Sequence, residues 1–249
     1  MSIILIGGIY SLSRNDKITI VMATYQQAHF LRTALLSCFN QTYPNYEVVV
    51  VSVDGDRETD VILGDFPFPF KWIISEKADY VYQRNLGVKG SDGEWYCFAD
   101  SDDFLLPVKL ETDMEVAKSQ NALLVYSSFL IADEQLRVVK GLIPPEFSRK
   151  LLLQSCIITD FSLVNRKLYD EFGPYDEKLG EVAFYDFYLK IAEKYPDKIK
   201  LNKTPTFIYR RYKAQMSQEL SWDVKIKMRK KVQQASLARK PLKVEKRGI

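Results

Sequence analysis

Residues 95–103, WYCFADSDD, combine an apolar strand pattern with three carboxylates at its carboxyl end. While the chain stays extended, alternate side chains point to the same side, which brings Asp100 next to Asp102. Crowded carboxylates repel one another unless a cation lies between them, and hard oxygen ligands select Mg²⁺ or Mn²⁺. We therefore expect Asp102 and Asp100 to ligate a divalent metal. The competing interpretation is that these acids cap a following helix, as Asp often does.

Strand and helix patterns alternate on both sides of this stretch. The apolar run at 48–51 is typical of a strand buried on both faces, and Leu31, Leu35 and Phe39 recur at helical spacing. Strands are predicted at 18–22, 47–53, 70–74, 95–99 and 123–127. Helices are predicted at 28–39, 57–63, 80–88, 107–118, 146–153, 184–195 and 222–237. This alternation predicts an α/β fold with a mostly parallel, Rossmann-like sheet flanked by helices and a less regular second half.

The charge of the chain is unevenly spread and its cysteines are far apart. From residue 222 to the end, ten Lys and Arg oppose two acids, so this tail carries +8 and the rest carries −5 of the net +3. Cys38, Cys97 and Cys156 form no paired motif, which argues against a disulfide framework and a zinc site and favours a reducing compartment. The start of the chain lacks a basic segment and a cleavage site, and no stretch reaches membrane-spanning length. We therefore expect a cytoplasmic protein.

Two further polar side chains are predicted at the same edge of the sheet, because ligands of such sheets bind beyond the carboxyl ends of the strands. Asp54 follows the 48–51 run. Its carboxylate can accept a hydrogen bond from a base or a ribose hydroxyl, and an ordinary Asp-Gly turn is the alternative. Arg84 lies in the middle of a predicted helix, between Gln83 and Asn85. Its guanidinium suits phosphate oxygens, and a solvated helix face is the alternative.

Motifs spread over residues 18–217 occur in an order and spacing that resemble one family. They are ITIVMATYQ at 18–26, QTYPNYE at 41–47, RNLG at 84–87, DSDD at 100–103, FGPYDEKL at 172–179 and YRR with QMS between 209 and 217. Together they resemble the family-2 glycosyltransferases, which are nucleotide-sugar-dependent enzymes with the GT-A fold. Each piece alone is common, whereas their order and spacing together are specific.

The resemblance implies roles for single residues. Thr24 and Tyr25 would line the nucleotide base, Asp54 would bind that base, and Arg84 would bind polar groups of the nucleotide. Asp100 would lie near the ribose and the metal, and Asp102 would ligate the metal. The family usually inverts the anomeric centre, which requires a general base for the acceptor hydroxyl.

Three departures from the family pattern affect these roles. The strand before Asp54 is one residue longer than usual, so Asp56 is an alternative to it. The family's late histidine, sometimes a metal ligand, is Tyr212 here, and the single histidine, His29, receives no role. In many members a Glu-Asp pair supplies the base, but the corresponding positions 183 and 184 hold Ala and Phe.

The absent pair leaves the general base open. Asp186 is the first candidate because it lies nearest to the expected place on the helix, and Glu181 is the second. Asp186 is two positions further on, about 200° around the helix, so it faces a different direction. The alternative function is a module that binds a nucleotide-sugar with weak or no turnover. A phosphatase would carry its D-x-D on the first strand, and a nucleotidyltransferase would need a Gly- and Arg-rich opening loop, so both are disfavoured.

The resemblance also implies a division of the chain. We expect an N-terminal extension or edge strand at 1–17, a GT-A domain at 18–221 and a basic helical tail at 222–249. Within the domain, 18–127 would be the nucleotide-sugar half and 128–221 the acceptor half. The implied partners are a nucleotide-diphosphate sugar donor and a glycan, lipid-linked or protein acceptor.

The basic tail combines lysines with two neighbouring narrow stripes, one with Trp222 and Ile226 and the other with Val224, Met228 and Val232. Such a segment suits the surface of an anionic membrane, so we expect peripheral contact with the inner membrane face. The alternative is a terminal helix that packs its stripe on the body. No nucleic acid is expected, because the tail lacks interleaved aromatic side chains for base stacking.

Overall fold

The computed structural model describes residues 16–213 and 222–239. Most of the predicted N-terminal extension, the end of the predicted domain at 214–221 with the QMS motif, and the predicted tail at 240–249 lie outside the described residues. One mixed sheet with helices against it holds the fold together. The elements in chain order are β1 Ile18–Thr24, α1 Ala28–Phe39, β2 Tyr46–Val53, α2 Arg57–Gly64, β3 Lys71–Ser75, α3 Tyr80–Lys89, β4 Trp95–Asp100, β5 Phe104–Leu105, α4 Lys109–Ser119, β6 Leu124–Ala132, β7 Val138–Leu142, α5 Arg149–Gln154, β8 Leu163–Asn165, α6 Arg166–Phe172, α7 Ala183–Lys194, β9 Ile199–Arg210 and α8 Trp222–Ala238.

The first half of the sheet is parallel, in the spatial order β3-β2-β1-β4. The apolar run at 48–51 is buried in β2, as its composition predicts. Helix α3 lies close against β1, because Gly87 has no side chain at the contact. A Cβ at Gly87 would lie 2.2 Å from Cγ1 of Val21. The carboxyl ends of β1 and β4 therefore meet beside α3, where a ligand of such a sheet binds.

Glu47 at the start of β2 connects this strand by hydrogen bonds to β1 and to the loop before β4. Its carboxylate accepts hydrogen bonds from Lys17 Nζ at 2.7 Å, Thr19 Oγ1 at 2.7 Å and the amide of Asp92 at 2.7 Å. Burial raises the pKa of Glu47, but these hydrogen bonds outweigh it and leave the pKa below its usual value. The last residue of the QTYPNYE motif thus has a structural role.

The second half of the sheet is mixed rather than parallel. Strand β8 pairs antiparallel with β4 and with β6, while β9 runs parallel to β6 and antiparallel to β5. Strand β7 forms a hairpin with β6. Because β8 joins β4 to β6, both halves belong to one sheet, and the acceptor half predicted from sequence forms the other wall of the site.

The C-terminal helix α8 packs against α7. Val232 and Ser236 are buried, and Gln233 Nε2 donates to the hydroxyl of Tyr185 in α7 at 3.2 Å. This contact favours the packed terminal helix over a free tail, although the side chains at 229–231 are exposed. Among the helices of the described ranges, none has the length and apolar character needed to cross a membrane.

Candidate active site

A cavity of about 810 Å³ opens where the carboxyl ends of β1 and β4 face the loop before β8 and the segment just before α7. Both halves of the chain contribute to its walls. The nucleotide-sugar half predicted from sequence supplies Thr24, Tyr25 and Arg84, among others. The other half supplies Asp160 and Glu181. The cavity is therefore large enough for a nucleotide-sized ligand and polar on the side of the acidic cluster.

The acidic cluster stands at the end of β4. One ligand atom each from Asp100, Asp102 and Asp103 lies within 4.8 Å of the others. Tyr212 donates its hydroxyl to Asp102 Oδ2 at 2.9 Å, and the amide of Arg210 donates to Asp103 Oδ1 at 2.8 Å. Within residues 16–213 and 222–239, the buried Oδ2 of Asp103 has no hydrogen-bond partner.

Burial and the crowding of negative charges raise the pKa of two of these acids. Burial and then the neighbouring charge of Asp100 raise the pKa of Asp102 to about 6, and the hydrogen bond from Tyr212 opposes this shift. Burial and then Asp102 raise the pKa of Asp103 well above its usual value. Such a cluster holds either protons or a cation, and its oxygen atoms suit a hard divalent ion. The helix-cap interpretation is wrong, since the next helix begins only at Lys109.

Arg84 occupies the centre of the site. Its side chain is only 4% exposed. One terminal nitrogen donates to Asp100 Oδ1 at 2.5 Å and the other to Asp160 Oδ2 at 3.3 Å. The guanidinium carbon lies 4.7 Å from the ring centre of Phe98 and 4.6 Å from that of Phe184. Two rings and two carboxylates thus fix the position of the guanidinium, and the solvated-face interpretation of this helix is wrong.

The neighbours of Arg84 on α3 hold the helix in place. Gln83 Nε2 donates to the carbonyls of Thr24 and Val51, at 3.1 Å each. Asn85 donates to the carbonyl of Tyr175 at 2.9 Å and accepts from the amide of the same residue at 3.0 Å. These contacts connect α3 to the ends of β1 and β2 and to the FGPYDEKL loop.

Thr24 and Tyr25 lie in the cavity wall. Asp54 is not among the described residues that line the cavity. The Asp54 side chain is exposed beyond the end of β2. Asp56 accepts from the amide of Gln26 at 2.7 Å and caps α2 through the amide and hydroxyl of Thr59. Because these donors occupy the carboxylate of Asp56, Asp54 is the better placed of the two for a ligand.

The two predicted general bases lie in different places. Glu181 lines the cavity, directly after Gly180, whose φ of +49° favours glycine. Asp186 lies outside the described cavity lining, with its Oδ2 2.8 Å from Lys190 Nζ and its Oδ1 3.5 Å from Arg239 Nη1. It faces α8 because it is two positions beyond Phe184 on α7. The structure therefore brings Glu181, and not Asp186, to the cavity.

Sequence reasoning missed two residues of the site. Asp160 stands in the loop before β8 and reaches Arg84, and the hydroxyl of Tyr212 contacts the acidic cluster. Neither residue follows a strand in the parallel half, where the pattern argument applies. The only sequence signal for Tyr212 was its position directly after the YRR segment, where the family often has a histidine.

Comparison with known proteins assigns the family. The model of "Glycosyl transferase family 2" matches residues 19–173. The uncharacterized glycosyltransferase YwdF of Bacillus subtilis is 31% identical over 191 residues, which cover 72% of this chain and 69% of that protein. The beta-1,3-glucosyltransferase WfgD of Escherichia coli, which uses UDP-Glc and alpha-D-GlcNAc-diphosphoundecaprenol, is 27% identical over 156 residues, or 59% of this chain and 62% of WfgD.

Other relatives are longer than this chain. An uncharacterized glycosyltransferase of Rickettsia felis is 27% identical over 192 residues, and the match covers 72% of this chain but 32% of that protein. This chain thus spans about a third of the length of such relatives.

Two solved structures have the same fold. Residues 1–349 of TarS from S. aureus, in complex with UDP-GlcNAc, align with a TM-score of 0.74 at 17% identity, covering 91% of this chain and 68% of TarS 1–349. The mannosyltransferase PcManGT of Pyrobaculum calidifontis, in complex with GDP-Man and Mn²⁺, aligns with a TM-score of 0.56 at 17% identity over 78% of this chain and 56% of that one. These likenesses confirm the GT-A fold.

Proposed function

The chain belongs to glycosyl transferase family 2, and we propose that it moves a sugar from a nucleotide-diphosphate donor to an acceptor hydroxyl, with inversion at the anomeric carbon. The observation that carries this proposal is the meeting of the acidic cluster with Thr24, Tyr25 and Arg84 around one cavity. The nucleotide base lies against Thr24 and Tyr25, with Asp54 at its outer edge. The diphosphate lies at the acidic cluster.

The metal of the proposal is Mn²⁺ or Mg²⁺, held by Asp102 and Asp100. The raised pKa of Asp102, and the buried Oδ2 of Asp103 without a partner among the described residues, both fit a cation at this place. A divalent ion there would neutralise charge on the departing diphosphate. Tyr212 orients the Asp102 carboxylate, and Arg84 fixes the Asp100 carboxylate.

A thermal-shift panel tests the donor and the metal together. The protein is heated with UDP-glucose, UDP-GlcNAc and GDP-mannose, with and without Mn²⁺, because any bound donor stabilises the fold by mass action. We expect one donor class to raise the melting temperature only when Mn²⁺ is present. Asp102→Asn should abolish this increase, while Asp65→Asn, which changes an exposed carboxylate outside the described cavity, should keep it. Equal shifts with and without chelator would reject the metal.

A second candidate function is a module that binds a nucleotide-sugar with weak or no turnover. The observation that favours it is the buried Ala183 and Phe184 at the place where the family often has its Glu-Asp pair. Glu181 and Asp186 are the carboxylates nearest in sequence to that place, and Glu181 has the better position. Release of free nucleotide diphosphate from a bound donor separates the two functions, since a pure binding module releases none.

The acceptor of the proposal is a glycan, a lipid-linked saccharide or a protein. The relative WfgD acts on a diphosphoundecaprenol-linked sugar, which favours the lipid-linked class for this chain. A cytoplasmic protein in peripheral contact with the inner membrane face would meet such an acceptor, and the exposed basic residues at 229–231 of α8 suit an anionic surface.

Vesicle co-sedimentation tests the membrane contact. Substituting Gln for all three basic residues at 229–231 should reduce pelleting with anionic vesicles at low salt. The matched control substitutes three exposed lysines elsewhere on the surface, Lys71, Lys89 and Lys178. Equal pelleting of the two variants would reject a role for α8.

A further inference from the structure

The cavity needs a proton acceptor that faces the donor from the side opposite its diphosphate. An inverting displacement brings the attacking hydroxyl to one face of the anomeric carbon while the diphosphate leaves from the other. On α7, the ring of the buried Phe184 packs on the Arg84 guanidinium, and Asp186 points away towards α8. Helix α7 therefore presents no carboxylate of its own to the cavity within its described residues.

Asp160 presents a carboxylate to the cavity beside Arg84. The two terminal nitrogens of Arg84 bind different carboxylates, so the width of the guanidinium separates Asp160 from Asp100. The Asp160 side chain is 38% exposed and lines the cavity. It is thus held in a fixed position and is still open to a ligand.

The loop that carries Asp160 is anchored on both sides. On one side, Tyr188 of α7 and the hydroxyl of Ser162 both donate to the carbonyl of Thr159. On the other side, the ring of Phe161 stacks on Phe207 with 4.1 Å between ring centres. A residue held between such anchors keeps one position during a reaction, as a general base requires.

We propose that Asp160 is the general base of this enzyme and takes over the role that a carboxylate on α7 would otherwise have. The inference rests on the proposed glycosyl transfer. The cavity wall partly shields Asp160 from water, which raises its pKa above its usual value; Arg84 opposes that shift, and Asp100 adds to it. A carboxylate with a raised pKa is a stronger base than an ordinary aspartate.

The proposed transfer conserves protons and electron pairs. The acceptor hydroxyl oxygen forms a bond to the anomeric carbon, and the bond from that carbon to the diphosphate oxygen breaks. The electron pair of the broken bond stays on the diphosphate, and the hydroxyl proton passes to the Asp160 carboxylate. When water replaces the acceptor, the same transfer gives the free sugar and the nucleotide diphosphate.

Two other carboxylates of the cavity are the rivals. Asp79 is occupied, because its Oδ1 accepts from the amides of Val81 and Tyr82 at 2.9 Å each and caps α3. Glu181 lines the cavity close to α7 and has a longer, more flexible side chain. Asp160 differs from Glu181 in its hydrogen bond from Arg84, which keeps the Asp160 carboxylate in one position in the cavity wall.

The test compares Asp160→Asn with Glu181→Gln in the full-length protein. The probes are UDP-, GDP-, dTDP- and CDP-sugars with Mn²⁺, and the readouts are donor affinity by calorimetry and turnover as released nucleotide diphosphate. In D160N the amide oxygen still accepts from Arg84, so the structural contact remains while the proton acceptor is lost. We expect turnover of D160N to fall about 100- to 10,000-fold with donor affinity within about threefold, and E181Q to lose less turnover than D160N.

Each outcome has one meaning. Turnover of D160N within about threefold of wild type, or a larger loss in E181Q than in D160N, overturns the inference while leaving the proposed transfer intact. A wild type that binds a donor and turns over none overturns both. If D160N does not fold, as judged by circular dichroism, Asp160→Ser serves with the same expected loss, because serine also lacks a basic carboxylate.

Discussion

Replacing Tyr212 by Phe removes one hydrogen bond from the acidic cluster and leaves the ring. In the structure the Tyr212 hydroxyl donates to Asp102 Oδ2 at 2.9 Å, and the ring packs on Phe30 with 4.9 Å between centres. A hydrogen bond to a charged carboxylate contributes about 1.5–3 kcal/mol, and the loss of a group that orients a metal ligand costs about 10- to 100-fold in metal affinity. We therefore expect Y212F to bind Mn²⁺ about 10- to 100-fold more weakly at neutral pH.

The assay is a Mn²⁺ titration by calorimetry or by electron paramagnetic resonance. The matched control is Tyr82→Phe, which removes a similar hydrogen bond, from Tyr82 to Glu76 at 3.2 Å, outside the described cavity. Turnover at saturating Mn²⁺ should recover to within a few fold of wild type, because the ligand carboxylates are intact. A Mn²⁺ dissociation constant within twofold of wild type in Y212F would refute the reasoning.

Three further predictions follow from the same contacts. Burial and Asp100 raise the pKa of Asp102 to about 6, so Mn²⁺ must displace a proton from this carboxyl group below that pH. The Mn²⁺ affinity should therefore decline steeply from about pH 6 to pH 5 and change little from about pH 7 to pH 8. A Mn²⁺ affinity by calorimetry that stays the same from about pH 8 to pH 5 would contradict this. Glu47→Gln should lower the free energy of unfolding by about 1.5–3 kcal/mol at pH 7 in urea denaturation. The lowered pKa of Glu47 means that its stabilisation is present at neutral pH and is lost as pH falls through that value, so the variants should converge in acid. Gly87→Ala should cost about 1–3 kcal/mol in the same assay, since its Cβ would meet Val21, whereas Gly64→Ala, with open space around it, should cost less.

The parallel half of the fold was predictable because its signals are local. Helix α1 spans Ala28–Phe39, the predicted range, since the apolar spacing and the end of the helical pattern both lie within the segment. The apolar run in β2 and the acids after β4 needed no knowledge of distant residues. By contrast, the predicted helix at 107–118 begins at Lys109, because Pro107 and Val108 belong to the preceding turn.

The mixed half of the sheet was not predictable from the same signals. Strands β5 and β8 have two and three residues, too few to show an alternation of apolar and polar side chains. Their pairing is decided by contacts far along the chain, such as β8 with β4 and β9 with β5. Asp160 comes from this half, so its contact with Arg84 was visible only once the loop before β8 had been placed against α3.

The four residues of the RNLG segment combine a local helix signal with contacts to distant parts of the chain. Gly87 lets α3 approach β1, and Asn85 fastens the helix to the loop around Tyr175. With the helix fixed in this way, Arg84 can reach the cavity from a buried backbone and hold two carboxylates at once. Because the guanidinium keeps its charge at any working pH, it offsets part of the negative charge of the two carboxylates before a cation or donor arrives. The position of the acidic cluster relative to Asp160 therefore depends on the packing of α3 against β1, and a substitution at Gly87 should disturb both sides of the cavity together.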